Sequence, residues 1–140
     1  MKISIITVCF NAEDTISDTI QSVLSQDYED VEYIIVDGKS TDRTLEIIQS
    51  KQKRIKLISE KDQGIYDAMN KGINIASGDV IGILNADDVY KNSQVLTAVM
   101  DAFKANVSIV YGDIEYVKYN DLSKVVRKWK AGVFRSGKFK

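Results

Sequence analysis

Ile3-Ser4-Ile5-Ile6-Thr7-Val8-Cys9-Phe10-Asn11 decides how the rest of the chain is read. Ile3–Cys9 is a short apolar, β-branched run, the pattern of a strand covered on both faces. Polar residues follow at once: Asn11-Ala12-Glu13-Asp14 offers a cap and early acids for a helix. Ile16, Ile20, Val23 and Leu24 then make one apolar helical face. Val31–Val36 predicts a second strand. In the turn Gly38-Lys39-Ser40-Thr41-Asp42, Ser40 or Thr41 is expected to cap a helix that buries Leu45 and Ile48. Ile55–Ile58 predicts a third strand. Ile65, Ala68, Met69, Gly72, Ile73 and Ala76 repeat at helical spacing until Ser77-Gly78 stops them. Val80–Leu84 predicts a fourth strand, which runs into Asn85-Ala86-Asp87-Asp88. Leu96, Val99, Met100 and Phe103 mark another helix. Val107–Tyr111 and Ile114–Tyr119 read as strands, with Asn120-Asp121 turning the chain towards Lys124–Trp129.

Strand and helix alternate four times. That alternation predicts an α/β fold: a mostly parallel sheet with helices on both faces. The 140 residues suit a single domain, 1–140, with no linker or internal repeat. Hydrophobic residues are 44% and charged residues 28%, an ordinary globular balance. No apolar run approaches a membrane span, and the start does not read as a signal peptide. A lone cysteine excludes an internal disulfide and suits a reducing cytoplasm. With no histidine, serine–histidine hydrolysis and His-ligated zinc are excluded within the chain. Any metal would take oxygen ligands, which favours Mg²⁺ or Mn²⁺. The net charge of −1 hides an asymmetry: residues 118–140 carry 8 basic residues and 1 acidic. That tail is either a solvated edge or a surface for a diphosphate or an anionic membrane.

Ligands of parallel sheets bind at the carboxyl ends of the strands. There the chain places Cys9, Phe10 and Asn11, then Asp37 and Gly38, then Glu60 to Gly64, then Asn85, Asp87 and Asp88. So many carboxylates on one rim repel each other unless a cation joins them. A divalent metal holding a diphosphate would meet that need. Asp87-Asp88 can divide the work, one accepting from a sugar or ribose hydroxyl and the other holding the metal; a helix-capping loop explains the pair equally. Asp37 can accept from a base N–H or a ribose, or simply bond its own turn. Gly64 would allow close approach to a flat base. Asp67 and Lys71, four apart, suit a surface ion pair, with Asn70 nearby. Cys9 reads as a small core residue. Tyr111, Tyr116, Tyr119 and Trp129 suit either packing or an acceptor surface.

Together these blocks resemble the family 2 glycosyltransferases that build bacterial surface polysaccharides. The resemblance rests on Ser4–Asn11, Ile34–Asp42, Asp62–Gly72, and Ala76-Ser77-Gly78-Asp79 leading to Leu84–Asp88. It implies a GT-A fold and a nucleotide-diphosphate sugar, most often a UDP sugar. It assigns Val8 and Phe10 to cradling the base, Asp37 to reading base or ribose, and Lys61 to Gly64 to closing over the nucleotide. Asp87 and Asp88 take ribose and metal; Asn70 completes the donor set. The implied reaction is a single displacement with inversion, onto a saccharide or lipid-linked acceptor. Two departures stand out. Asn85 occupies a position that is often Asp in the family. The general base lies in an acceptor-binding part, which the ending at Gly137-Lys138-Phe139-Lys140 suggests is missing, so none is assigned; Asp113 lies too early. The competing reading is a non-catalytic module that binds nucleotide sugars or a protein. A nucleotidyltransferase would want glycine and a basic residue within Phe10–Asp14, and neither is there. Peripheral contact with the inner membrane face through the basic tail, and a homodimer, are further expectations.

Overall fold

A computed structural model describes residues 1–51 and 54–133. The chain divides into two compact units, Met1–Met100 and Asp101–Lys140. The first is built on a four-stranded sheet in the order β3-β2-β1-β4. Its strands are β1 (Ile3–Cys9), β2 (Val31–Asp37), β3 (Lys56–Ser59) and β4 (Val80–Ile83), and every neighbouring pair is parallel. The helices α1 (Ile16–Leu24), α2 (Thr44–Ser50) and α3 (Ile65–Ile75) connect them, and α4 (Val95–Ala102) follows. The parallel α/β architecture is the one the alternation predicts.

All seven residues of β1 are buried, as a central strand covered on both faces requires. On one face Ile6, Val8, Ile34 and Val36 form a cluster with Ala68 of α3. Gly72 lets α3 lie this close, since a Cβ there would sit 2.5 Å from Ile6 Cγ2. The alternate residues of β1 point to the opposite face. There Thr7 and Tyr33 share a buried hydrogen bond of 3.1 Å. Ile16, Ile20 and Val23 of α1, and Ile48 of α2, are buried too. The helical pattern of α3 overstates its core face: Ala68 and Gly72 are buried, whereas Ile65 and Ile73 are exposed.

The expected caps are not used. Thr15 precedes α1 and Arg43 precedes α2, and neither side chain makes a capping hydrogen bond. Asn11, Ser40 and Thr41 are occupied in tying two loops together, described below. Asp42 Oδ1 accepts the Thr44 N–H at 2.9 Å instead.

At the amino edge of the sheet, Glu32 joins β2 to β1 and to the turn before β4. It accepts from Ser4 Oγ at 2.6 Å, from Ser77 N at 2.8 Å and from Ser77 Oγ at 2.9 Å. Lys2 Nζ lies 3.6 Å away and Lys56 Nζ 3.8 Å away. Burial alone would raise the Glu32 carboxyl; the hydrogen bonds from Ser4 and Ser77 and the charge of Lys2 outweigh it and pull it down to about 2. A carboxyl held below its unfolded value contributes stability that is present above that value and lost as pH falls through the folded one. We expect Glu32→Gln to lower the melting temperature at pH 7 and to flatten its acid decline between about pH 5 and 2. Thermal melts at a series of pH values check this, and parallel wild-type and variant curves would contradict it.

The second unit is a hairpin of β5 (Ile114–Lys118) and β6 (Asp121–Trp129), antiparallel, with irregular register around Val117. The turn falls at Tyr119-Asn120, one residue earlier than expected. Val107–Tyr111, expected to be a strand, is irregular. Its composition suits a strand, but no ladder partner is available among the described residues, and Ile109 is 77% exposed. Tyr111, Tyr116, Tyr119 and Trp129 are all exposed rather than packed into a core. Arg127 lies over the Tyr116 ring at 5.7 Å, and Lys128 pairs with Glu115 at 2.9 Å. Among the described residues no helix is long and apolar enough to cross a membrane.

Candidate functional site

Because the four strands run parallel, their carboxyl ends share one edge. Strand order reverses between β1 and β4, which opens a crevice at that edge. Two loop systems border it.

The first joins the ends of β1 and β2. Asn11 N donates to Ser40 Oγ at 2.9 Å, and Thr41 N donates back to Asn11 Oδ1 at 2.9 Å. Ala12 N donates to Thr44 Oγ1 at 2.7 Å, and Arg43 N donates to Glu13 Oε2 at 2.9 Å. Asn11 and Lys39 adopt positive φ to make these bonds. The result is a pair of stitched loops rather than two free ones.

Asp37 is the anchor beneath them. It has 0% exposure. Its Oδ1 accepts from Ser40 Oγ at 2.5 Å, its Oδ2 accepts from Ser59 Oγ at 2.7 Å, and both oxygens lie near Ser40 N. The Cys9 thiol also points at Oδ1, at 3.8 Å. Burial, then the charge of Asp37, push the Cys9 thiol well above its usual range, so it is an inert core group. Val8 lies in the core cluster under α3, below the rim. Phe10, two residues further, is 62% exposed.

After β3, Gly64 starts α3 with φ 113 and ψ 177, a conformation reserved largely for glycine. Nothing lies within 4 Å of where its Cβ would be, so backbone is presented to open space. Asp62 Oδ1 accepts the Gly64 N–H at 2.9 Å. Lys61 is exposed, and its carbonyl accepts from Lys71 Nζ at 2.9 Å. Lys71 also pairs with Asp67 at 3.3 Å and Glu60 at 3.0 Å, so the expected ion pair is there. Asn70 is exposed on the same helix.

The second system follows β4. Leu84 N bonds Ile6 O at 3.0 Å, carrying the β1 pairing one residue past the strand. Buried Ala86 then fixes the turn: its carbonyl accepts from Thr19 Oγ1 of α1 at 2.9 Å. Asp87 and Asp88 stand exposed after it. Partial desolvation, then the neighbouring Asp87 charge, raise the Asp88 carboxyl, while a hydrogen bond from Asn85 lowers it. Asn85 Oδ1 is buried without a partner among the described residues. No group of three or more Cys, Asp or Glu side chains converges on a metal position among the described residues. Two adjacent carboxylates still fit a cation that arrives with a diphosphate, since Mg²⁺ commonly uses one or two carboxylates and completes its shell from phosphates and water.

The sequence reading therefore brought the right strand ends to one edge. It did not single out Thr19 or Ser59. Each acts across a gap of many residues, and local spacing carries no trace of such bonds.

A parallel sheet with flanking helices, a stitched loop at one strand end and paired carboxylates across the switch point is an α/β architecture of GT-A type. The chain belongs to glycosyl transferase family 2, whose family description matches residues 4–139. It is 34% identical over 122 residues to the UDP-Glc:alpha-D-GlcNAc-diphosphoundecaprenol beta-1,3-glucosyltransferase WfgD of Escherichia coli, covering 86% of this chain and 48% of WfgD. Among solved structures it resembles S. aureus TarS 1-349 in complex with UDP-GlcNAc, with TM-score 0.67 and 26% identity, over 72% of this chain and 30% of that one. The mannosyltransferase PcManGT of Pyrobaculum calidifontis, solved with GDP-Man and Mn²⁺, shares the fold at TM-score 0.71 and 22% identity, over 84% and 35% of the two chains. The chain spans less than half the length of each of these relatives.

Proposed function

We propose that this chain supplies the donor-binding half of an inverting glycosyltransferase, which moves a sugar from a nucleotide-diphosphate sugar, preferably a UDP sugar, to a saccharide or lipid-linked acceptor of the cell surface. The observation that carries this is the exposed Asp87-Asp88 pair at the switch point of a parallel sheet, with Asp88 raised by desolvation and by its neighbour. WfgD's name gives a UDP sugar as donor and a lipid diphosphate as acceptor, which supports the same classes here.

In this reading Phe10, Lys61, Gly64 and Asn70 border the nucleotide, and Asp87 takes ribose. Val8 and Asp37 support that surface from beneath. Asp87 and Asp88 would hold Mg²⁺ or Mn²⁺, which would offset the charge of the leaving diphosphate. The acceptor hydroxyl attacks the anomeric carbon in line, which inverts it. Its general base is assigned to an acceptor-binding part outside these 140 residues. Asp113 does not serve, because its Oδ1 accepts the Ala131 N–H at 2.9 Å and shapes the hairpin. By itself the chain then binds donor and turns over slowly or not at all. We place it in the cytoplasm, at the inner membrane face, held by the basic stretch 118–140; Arg135 and Gly137–Lys140 lie outside the described residues. The exposed apolar side chains of the hairpin are where a homodimer would form.

Calorimetric titration of the chain with UDP, with and without Mn²⁺, tests the donor site. We expect binding that tightens by about 10-fold or more with the metal. Failure to bind UDP, GDP or dTDP under either condition would refute the reading.

A further inference from the structure

Asp87 and Asp88 lie in a stretch, 86–90, that α1 holds at both ends. Ahead of the pair, Thr19 Oγ1 donates to the Ala86 carbonyl at 2.9 Å. Behind it, Ser22 Oγ accepts the Tyr90 N–H at 3.2 Å. Asp88 N bonds Asn85 O at 3.1 Å, so the pair sits in a closed turn beside these two ties. A serine or threonine within a helix can satisfy its hydroxyl on a carbonyl one turn back. Ser22 does so, donating to Thr19 O at 2.8 Å, and its oxygen then accepts from Tyr90. Thr19 is only 1% exposed and directs its proton to Ala86 instead. Gln26, just past the end of α1, bonds further along the chain. Its Oε1 accepts the Leu96 N–H at 3.0 Å and its Nε2 donates to Asn92 O at 2.7 Å. Those bonds fix the approach to α4 rather than the stretch that carries the carboxylates.

We infer that Thr19 and Ser22 are positioning residues for the divalent cation: they pin the backbone on either side of Asp87-Asp88, so that the two carboxylates are arranged before the metal arrives. The inference rests on the proposed metal role of Asp87 and Asp88 and adds to it the residues that set their geometry. Neighbouring carboxylates repel each other, and an untied loop would let them turn apart. A cation that demands a regular shell loses affinity when its ligands must first be gathered. Partners that orient ligands therefore tune metal affinity without touching the metal. Both hydroxyls are engaged with backbone groups, so they act through the carboxylates and not on the ligand. Thr19 and Ser22 are neighbours on one helix surface, so a single rigid element sets both ends of the stretch.

The test measures the dissociation constant of UDP, with and without Mn²⁺, for the 140-residue chain and for Thr19→Val, Thr19→Ser, Ser22→Ala and Gln26→Ala, each below its melting temperature. Valine keeps the shape of threonine and removes the donor. Thr19→Val and Ser22→Ala should each erase most of the Mn²⁺-dependent gain in UDP affinity, a loss of about 10-fold, and leave metal-free affinity unchanged. Thr19→Ser returns the hydroxyl and should return the gain. Gln26→Ala should lower the melting temperature and keep the gain. An unchanged gain in both Thr19→Val and Ser22→Ala would overturn the inference; a loss in one alone confines the role to that residue. A loss as large in Gln26→Ala or Thr19→Ser would also overturn it, by marking the effect as general loosening. In those cases wild type still shows the gain and the proposed metal site stands. Absence of any gain in wild type would remove the metal site, and this inference with it. Should Thr19→Val fail to fold, the comparison of Ser22→Ala with Gln26→Ala decides.

Discussion

Asp88→Asn is expected to abolish the Mn²⁺-dependent gain in UDP affinity while leaving the fold as stable as before, or more so. The two halves of that expectation have one cause. Asp88 sits partly desolvated beside Asp87, and both effects raise its carboxyl. A carboxyl raised in the folded state costs stability when ionised, and the cost is relieved as pH falls through its folded value. Asparagine removes the charge, and with it the repulsion from Asp87. The same charge is what a divalent cation would use. A residue that costs the fold something at neutral pH and is the one needed for a ligand is the usual signature of a functional site. Titration of wild type and variant with UDP, with and without Mn²⁺, together with thermal melts, separates the two. Retention of the full metal effect in both Asp88→Asn and the double variant Asp87→Asn/Asp88→Asn would dismiss these carboxylates as the metal site. A melting temperature that drops sharply would instead assign Asp88 a structural role.

Gly78→Ala should be among the most damaging single methyl groups one can add to this chain. The new Cβ would lie 2.7 Å from Ser4 N, 2.7 Å from Ser4 Oγ and 2.9 Å from Lys2 O. Two of those atoms are backbone at the start of β1, and they cannot rotate away as a side chain could. Lys2 O is also the acceptor for Asp79 N at 2.8 Å and Val80 N at 3.2 Å, the bonds that bring β4 alongside β1. Gly78 N itself donates to Ser4 Oγ at 2.9 Å, and Ser4 Oγ donates on to Glu32. Relief of the clash therefore means moving β4 away from β1 or breaking the Glu32 network. We expect a loss of about 3 kcal/mol, in the upper range for overpacking. For a domain of this size that is a fall on the order of 10 °C or more in melting temperature. Gly112→Ala is the matched comparison: nothing lies within 4 Å of its Cβ position, and we expect a change within about 0.5 kcal/mol. Similar melting temperatures for the two variants would show that the β1–β4 edge yields more easily than its backbone contacts imply.

Much of the architecture was legible in the residues because it depends on patterns along the chain. Ile3–Cys9 is apolar without alternation, so it had to be covered on both faces, and it is the central strand. The alternation of strands with helices required parallel pairing, which in turn gathers four strand ends on one edge. Asp67 and Lys71 met as their spacing predicts. Local patterning misled where an element needs a partner. Val107–Tyr111 has the composition of a strand, but a strand exists only within a ladder. Asn11, Ser40 and Thr41 are good capping residues, yet the neighbouring loop offered them better hydrogen-bond partners than a helix end did.

The sequence by itself determined the order of the strands along the chain, the edge on which polar residues gather, and the family to which the pattern points. Only the tertiary structure decided which of those polar residues face outward. Asp37 and Val8 read as rim residues, but one is enclosed by Ser40 and Ser59 and the other lies under α3. Asp62 read as part of a loop, but it stands over Gly38. Exposure depends on which loops close against each other across 20 to 30 residues, and that is settled by packing and hydrogen bonds between distant segments, not by periodicity within any one of them.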